Sequence, residues 1–137
     1  MARKRAFISF DFDHDKDIRG SFVSQAKRSE APFNITDWSL KEPVNGKWKQ
    51  KARALIRKAD LIIVICGEHT HDAAGVTAEV TILHEENKPY FLLKGRRRKT
   101  CKKPRSARSS DKIYKWKWKH LGRLINGEQW PNVTAVQ

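Results

Sequence analysis

Hydrophobic residues occur along this chain in short runs, separated by segments in which they recur at helical spacing. The runs Ala6–Phe10 (AFISF) and Phe33–Trp38 (FNITDW) are rich in β-forming residues and predict the first two strands. Leu61–Cys66 (LIIVIC) is apolar without a break, which is typical of a strand buried on both faces of a parallel sheet. A fourth strand is predicted at Tyr90–Leu93, directly after Pro89.

The segments between these runs have the apolar periodicity of helices. The periodic positions are Ile18, Phe22, Val23 and Ala26 within 15–30; Trp48, Ala52, Leu55, Ile56 and Ala59 after Gly46; a segment at 73–87; and Ile113, Trp116, His120, Leu121, Leu124 and Ile125 near the end. This alternation predicts an α/β fold: a doubly wound, mainly parallel sheet of four to five strands with helices on both faces, as in flavodoxin-like proteins. At 137 residues, the chain is expected to form one domain over 1–137.

The net charge of +14 is concentrated in one part of the chain. Residues 1–93 contain 15 Lys and Arg against 13 Asp and Glu, whereas residues 94–123 contain 14 against a single Asp. The segment 95–110 (GRRRKTCKKPRSARSS) has almost nothing apolar to bury, so it is expected to be a mobile basic loop inserted in the domain.

The wider segment 94–119 combines these cations with Tyr114, Trp116 and Trp118. Such a mixture gives salt-dependent affinity for phosphate backbones and aromatic surfaces for stacking. Weak, non-specific nucleic-acid binding is therefore expected. A purely solubilising loop is the alternative.

No apolar run approaches the roughly 20 residues that a membrane span requires, and no secretory signal is evident. We therefore expect a cytoplasmic protein that has no contact with a membrane and no disulfide between Cys66 and Cys101. His69, His71 and Asp72 lack the spacing of a metal site, so no metal is expected. The segment FDFDHDKD after the first strand is neither Ser/Thr-rich nor glycine-rich, so no resident flavin or dinucleotide cofactor is expected.

One carboxylate stands out in the segment GVTAEVTILHEEN, because ligands of open α/β sheets bind where the strand-to-helix loops converge. A projection at about 100° per residue places Glu79 in the apolar arc, and places Glu86 at almost the same angle. An acid facing the core is costly unless it is paired, protonated or facing a cleft. Position in the helix favours Glu79, which is near the crevice. The simpler alternative is an acid that stabilises the helix N-terminus through the dipole.

Several segments together resemble the TIR-like domains of bacterial antiviral defence, in particular the TIR-like subunit of Thoeris systems. The resembling segments are KRAFISFDFDHD, TDWSL, ADLIIVICGEHT, GVTAEVTIL and, near the end, YKWKWKHL. The glutamate of TIR enzymes falls on Glu79. The sequence has no Arg-Asp-x-x-Pro-Gly loop like that of animal receptor TIR domains and has WSLKEP at that place instead. Receptor-type signalling is therefore the less favoured function.

The resemblance implies an enzyme that cleaves the nicotinamide–ribose bond of its substrate NAD⁺ to ADP-ribose or a cyclic ADP-ribose-type messenger. Its implied partners are a messenger-responsive effector protein and, in some members, further copies of the chain. Glu79 would be the catalytic carboxylate. The implied substrate contacts are Ser9, Phe10, Phe12, Trp38 and Ser39, with His69 and His71 as auxiliary groups. A non-catalytic TIR-like interaction module is the alternative function.

Overall fold

The computed structural model describes residues 4–28, 31, 33–39, 46–96, 98–125 and 135–136. The strands are β1 (Lys4–Ser9), β2 (Phe33–Trp38), β3 (Leu61–Cys66), β4 (Tyr90–Lys94), β5 (Ile113–Tyr114) and β6 (Ala135–Val136). The helices are α1 (Phe12–Asp15), α2 (Arg19–Ala26), α3 (Gly46–Lys58), α4 (Ala74–Glu85) and α5 (Trp118–Ile125), with 3₁₀ turns at Lys16–Ile18 and Thr70–Asp72.

The described strands form one sheet in the order β2-β1-β3-β4-β5-β6. Strands β1 to β5 pair in parallel, and only the two-residue β6 is antiparallel, to β5. The chain therefore moves from β1 to one side for β2 and to the other side for β3. This confirms the doubly wound α/β fold, with its switch point between β1 and β3.

Two hydrophobic cores lie on the two faces of this sheet. Phe7, Ile62 and Val64 belong to the core under α3 and α4. Their neighbours Ile8 and Ile63 belong to the core that includes side chains of α2 and α5. All six residues of β3 are buried, as its unbroken apolarity predicts. Each fully buried aliphatic side chain contributes on the order of 1.5–3 kcal/mol, so this strand stabilises the centre of the domain.

The prediction of a last helix beginning at Ile113 is wrong at its start. Ile113 and Tyr114 form β5 beside Leu92 and Leu93 of β4, and the helix begins at Trp118. The spacing of Ile113 and Trp116 fits a helix. Pairing with β4, however, satisfies the backbone hydrogen-bonding groups of Ile113 and Tyr114. Periodicity alone cannot include that pairing, because it depends on a neighbouring strand.

The first predicted helix, 15–30, is divided and begins earlier. α1 starts at Phe12, where the Asp11 side chain accepts a hydrogen bond from the Asp13 N–H as the N-cap. A 3₁₀ turn then leads into α2, which ends at Ala26. The acidic stretch after β1 therefore provides a helix cap, as short acidic side chains commonly do.

The described part of the basic segment 95–110 has no helix or strand, but it is anchored to the domain. Cys101 is 1% exposed and belongs to the core under α3 and α4, so the segment buries this side chain in the domain. Lys103 donates hydrogen bonds to three backbone carbonyls, those of Arg108, Ser109 and Asp111. Ser106 donates to the carbonyl of Thr77 in α4. These contacts attach the segment to the domain, and its mobility stays a prediction.

Both cysteines are free and buried, and burial raises the pKa of the Cys66 thiol well above its ordinary value. Cys66 thus behaves as a small apolar residue. Within the described helices, none has the length and apolarity to cross a membrane.

Candidate active site

Glu79 lies in the middle of a buried polar cluster at the carboxyl ends of β1 and β2. Its Oε1 accepts a hydrogen bond from Ser9 Oγ at 2.7 Å and another from Ser39 Oγ at 2.5 Å. Glu79 and Ser9 are fully buried, and Ser39 is 6% exposed. Short hydroxyl–carboxylate hydrogen bonds of this kind fix the position of the acid. The structure therefore brings together three of the residues that the sequence singled out.

A β-bulge in the β1–β2 pair brings Ser39 to this position. The register shifts between Ala6, which pairs with Ile35, and Phe7, which pairs with Asp37. Beyond the shift, the Ser39 N–H donates to the Ile8 carbonyl and Ser39 Oγ accepts from the Phe10 N–H, both at 2.9 Å. The extra residue in β2 thus aligns Ser39 with Ser9. Bulges commonly re-aim side chains in this way.

The structure distinguishes Glu79 from Glu86. Glu86 lies just beyond α4 and forms ion pairs with Arg53 at 2.6 Å and Arg57 at 2.7 Å. Hydrogen bonds from Arg57 and Arg53 lower the pKa of Glu86 to about 2. Glu86 therefore ties α4 to α3 at the surface, whereas Glu79 lies in the interior near the crevice.

An aromatic cluster lies beside the serines, around Phe10. The Phe10 ring contacts Phe12 at 5.1 Å and Trp38 at 5.6 Å between centroids, the latter edge to face. Phe10 is 2% exposed and belongs to the core on the α2 side, while Trp38 is half-buried beneath the guanidinium of Arg19, 5.0 Å from its ring centroid. Trp38 and Phe12, which is also half-buried, are thus more accessible than Phe10. A ligand contact at any of these rings stays a prediction.

The two predicted auxiliary histidines have other described contacts. The His69 ring stacks on His14 with 4.1 Å between centroids. His71 Nε2 lies 3.1 Å from Asp72 Oδ2. Their auxiliary role remains a prediction. Within the described residues, no group of three or more His, Cys, Asp or Glu side chains is arranged to hold a metal ion.

His14 connects α1 to the loop after β3, a contact that the sequence did not reveal. Its Nδ1 lies 2.7 Å from Asp11 Oδ2, and this hydrogen bond raises the pKa of His14 above its ordinary value of 6.5. Because the folded-state pKa of His14 is raised, the Asp11–His14 pair stabilises the fold fully below pH 6.5, the value for the unfolded chain. This contribution is lost as the pH rises through the folded-state pKa.

We expect the imidazole of His14 to titrate above 6.5 in the folded protein and to return toward 6.5 in Asp11→Asn, because the asparagine carries no charge. A two-dimensional NMR titration of the histidine side chains measures both midpoints. An unchanged midpoint in Asp11→Asn would show that Asp11 is not the cause.

Arg96 forms a second ionic cluster at the same edge of the sheet. It follows β4 and donates to Asp15 Oδ1 at 3.1 Å, to both oxygens of Asp17 at 2.6 and 2.7 Å, and to the His14 carbonyl at 2.9 Å. Asp15 is 2% exposed, and burial raises its pKa although Arg96 opposes the rise. The acids at 15 and 17 are therefore partners of Arg96. An arginine shortly after the fourth strand, at the edge of the sheet where these acids lie, was the signal available in the sequence.

Gly67 allows Asp15 to approach the end of β3. A Cβ at Gly67 would lie 2.3–2.7 Å from the Asp15 carboxyl group, so no larger residue fits without a shift of that acid. The Gly67 N–H is satisfied by Thr70 Oγ1 at 2.7 Å. Because Gly67 has no side chain, the loop after β3 can pack closely against the segment that follows β1.

The family of the chain follows from a comparison with protein-family models. The model described as "Thoeris protein ThsB, TIR-like domain" matches residues 7–100. The chain belongs to this family. The matched range contains Ser9, Ser39 and Glu79, and it extends from β1 through β4. It confirms the resemblance to Thoeris TIR-like proteins.

Among solved structures, the TIR-like chain is similar to one titled "Crystal Structure of a prokaryotic SEFIR domain". The TM-score is 0.58 at 19% sequence identity, with 89% of this chain and 98% of that chain covered. At this identity the likeness shows the fold. No curated protein matches the chain.

Proposed function

We propose that this TIR-like domain cleaves the bond between nicotinamide and ribose in NAD⁺, with Glu79 as the catalytic residue. The product is ADP-ribose or a cyclic ADP-ribose-type messenger for an effector protein. The observation that carries the proposal is the fully buried carboxylate of Glu79, which Ser9 and Ser39 hold by hydrogen bonds. This cluster lies at the carboxyl ends of the strands, beside the switch point between β1 and β3. Membership in the family supports it.

The chemistry requires a negative group beside the ribose. The C1′–N bond breaks with its electron pair moving to nicotinamide, so positive charge develops on the ribose. A carboxylate held in advance against the ribose hydroxyls stabilises that charge with little reorganisation. In hydrolysis, water forms the new bond to C1′ and releases a proton. In cyclisation, an atom of the adenine ring takes the place of water.

Ser9 and Ser39 act in this proposal as positioning residues, because their hydroxyls reach Glu79 Oε1. Trp38, one of the two half-buried rings of the aromatic cluster, is the proposed wall against a planar part of the substrate. Glu79 has no exposed surface, so substrate entry requires neighbouring groups to move. Displacement of Ser39, which directly follows β2, would remove one hydrogen bond from Oε1.

The same burial favours a second candidate, a non-catalytic interaction module. In that case the cluster of Glu79, Ser9 and Ser39 only joins α4 to β1 and to the end of β2. A satisfied buried polar network commonly rigidifies a core.

Incubation with NAD⁺ separates the two candidates. The intact protein is supplied with NAD⁺ alone and with lysate of phage-infected cells, and the products are identified by mass spectrometry. Release of nicotinamide with ADP-ribose or its cyclic isomer supports the enzyme. Lack of NAD⁺ consumption under both conditions would support the interaction module.

A further inference from the structure

A second candidate site lies at the carboxyl ends of β4 and β5. It is a groove of about 550 Å³ lined by Ser21 and Gln25 of α2, by Lys94 at the end of β4, and by Lys115, Trp116 and Lys117 between β5 and α5. Ser9, Ser39 and Glu79 are not among the residues that line this groove. The groove is therefore separate from the Glu79 cluster.

The groove carries positive charge that is available to a ligand. Within the described residues, no hydrogen bond or ion pair occupies the ammonium groups of Lys94, Lys115 and Lys117, and no carboxylate lines the groove. Arg96 and Arg105, by contrast, are engaged with carboxylates of the domain. Three lysines around one concavity favour a ligand with several negative charges. Lysine ammonium groups are common partners of phosphate.

Trp116 gives the groove a fixed aromatic wall. Its ring packs against Phe22 with 4.3 Å between centroids, and its Nε1–H donates to Gln25 Oε1 at 2.9 Å. A half-buried indole held on one side is a rigid surface on which a planar base can stack. The hydroxyl of Ser21 and the amide of Gln25 add hydrogen-bonding groups beside it.

We propose that this groove binds a nucleotide carrying two or more phosphates, at a site separate from Glu79. The volume is in the range of small-molecule pockets. Lysines for phosphates and an indole for a base match the two parts of a nucleotide. The groove is compact, which favours a single nucleotide over an extended strand.

Calorimetric titration of the intact protein with ATP tests this site. We expect ATP to bind more tightly than AMP, because more phosphates reach the lysines. Lys94→Gln/Lys115→Gln/Lys117→Gln is expected to weaken ATP binding at least about tenfold. The matched control, Lys47→Gln/Lys49→Gln/Lys58→Gln, removes three exposed charges from α3 and should change affinity by no more than about twofold.

Further ligands test the stacking half of the proposal. Trp116→Ala should weaken ATP but leave tripolyphosphate unchanged, and near-UV circular dichroism shows whether each variant is folded. ATP that does not bind, equal losses in the two lysine triples, or tripolyphosphate that binds as tightly as ATP would overturn the proposal. So would a short single-stranded oligonucleotide that binds more tightly than ATP, since it would indicate nucleic-acid binding along 94–119.

The site is independent of NAD⁺ cleavage. Glu79→Gln should bind ATP with wild-type affinity whether or not the wild-type protein consumes NAD⁺. Loss of ATP binding in Glu79→Gln would place the nucleotide at the Glu79 cluster and overturn the proposal of a separate site.

Discussion

Glu79→Gln is expected to reduce the NAD⁺ turnover of the activated protein by roughly 100- to 1,000-fold, the usual cost of removing one preorganised electrostatic group. The amide oxygen of glutamine can still accept hydrogen bonds from Ser9 and Ser39, so the cluster keeps its shape. The negative charge beside the ribose is lost. Initial rates of nicotinamide release, measured with near-UV circular dichroism as a check on folding, give the comparison.

Glu86→Gln provides the matched control, because it removes a carboxylate from the end of the same helix. Glu86 contacts Arg53 and Arg57 at the surface and is outside the cluster of Glu79. Its loss should leave turnover within about twofold, since exposed ion pairs contribute little. Equal turnover by wild type and Glu79→Gln would remove Glu79 from the catalytic role.

Arg96→Met is expected to destabilise the domain by roughly 2–3 kcal/mol at pH 7, because it leaves the buried Asp15 carboxylate without its cation. The arginine is itself partly exposed, so the expected loss falls below the roughly 3–5 kcal/mol that is usual when a fully buried pair is broken. Urea unfolding at pH 7 and at pH 4.5 measures the loss.

The loss should be smaller at pH 4.5. Burial raises the folded-state pKa of Asp15 above 3.8, so the folded protein holds that proton more tightly than the unfolded chain does. Stability from a protonated Asp15 is present at low pH and is lost as the pH rises past 3.8. Arg96 lowers the pKa of Asp15, so its removal moves the folded-state pKa of Asp15 further upward. The stability that comes from the protonated acid then persists to a higher pH.

Two variants make the expectation specific. Arg105→Met breaks the exposed pair with Asp72 and should cost little stability at either pH, because exposed ion pairs contribute little. Asp15→Asn/Arg96→Met removes both charges and should be more stable than Arg96→Met at pH 7. Equal costs for Arg96→Met and Arg105→Met, or no dependence on pH, would contradict a buried Asp15–Arg96 pair.

The fold could be predicted from the sequence because its central elements are local patterns. Phe33–Trp38 and Leu61–Cys66 have the predicted bounds, and the helical periodicity around Ala52 and Val80 marks the helices on one face. β5 could not be predicted in this way. Its two residues form a strand only because they pair with β4, and the periodicity of a sequence holds no information about a partner that is distant along the chain.

The candidate site was predictable only in part. The angle in the apolar arc was nearly the same for Glu79 and Glu86, and only the position of Glu79 near the crevice favoured it in the sequence. The contacts of Glu86 with Arg53 and Arg57 at the surface could not be predicted. The alignment of Ser39 with Ser9 depends on a bulge that leaves no mark in the sequence. The roles of Asp15 and Arg96 depend on contacts across 81 positions of the chain.

The aromatic contacts around Phe22 suggest a way to observe the protein without a label. The rings of Trp116, Phe22, Trp38 and Phe10 follow one another with centroid separations of 4.3, 6.4 and 5.6 Å. One end of this row lines the lysine groove, and the other lies beside Ser39. A ligand at either end changes the surroundings of a different indole. Tryptophan emission spectra, compared with those of Trp38→Phe and Trp116→Phe, would therefore report which end of the domain is occupied.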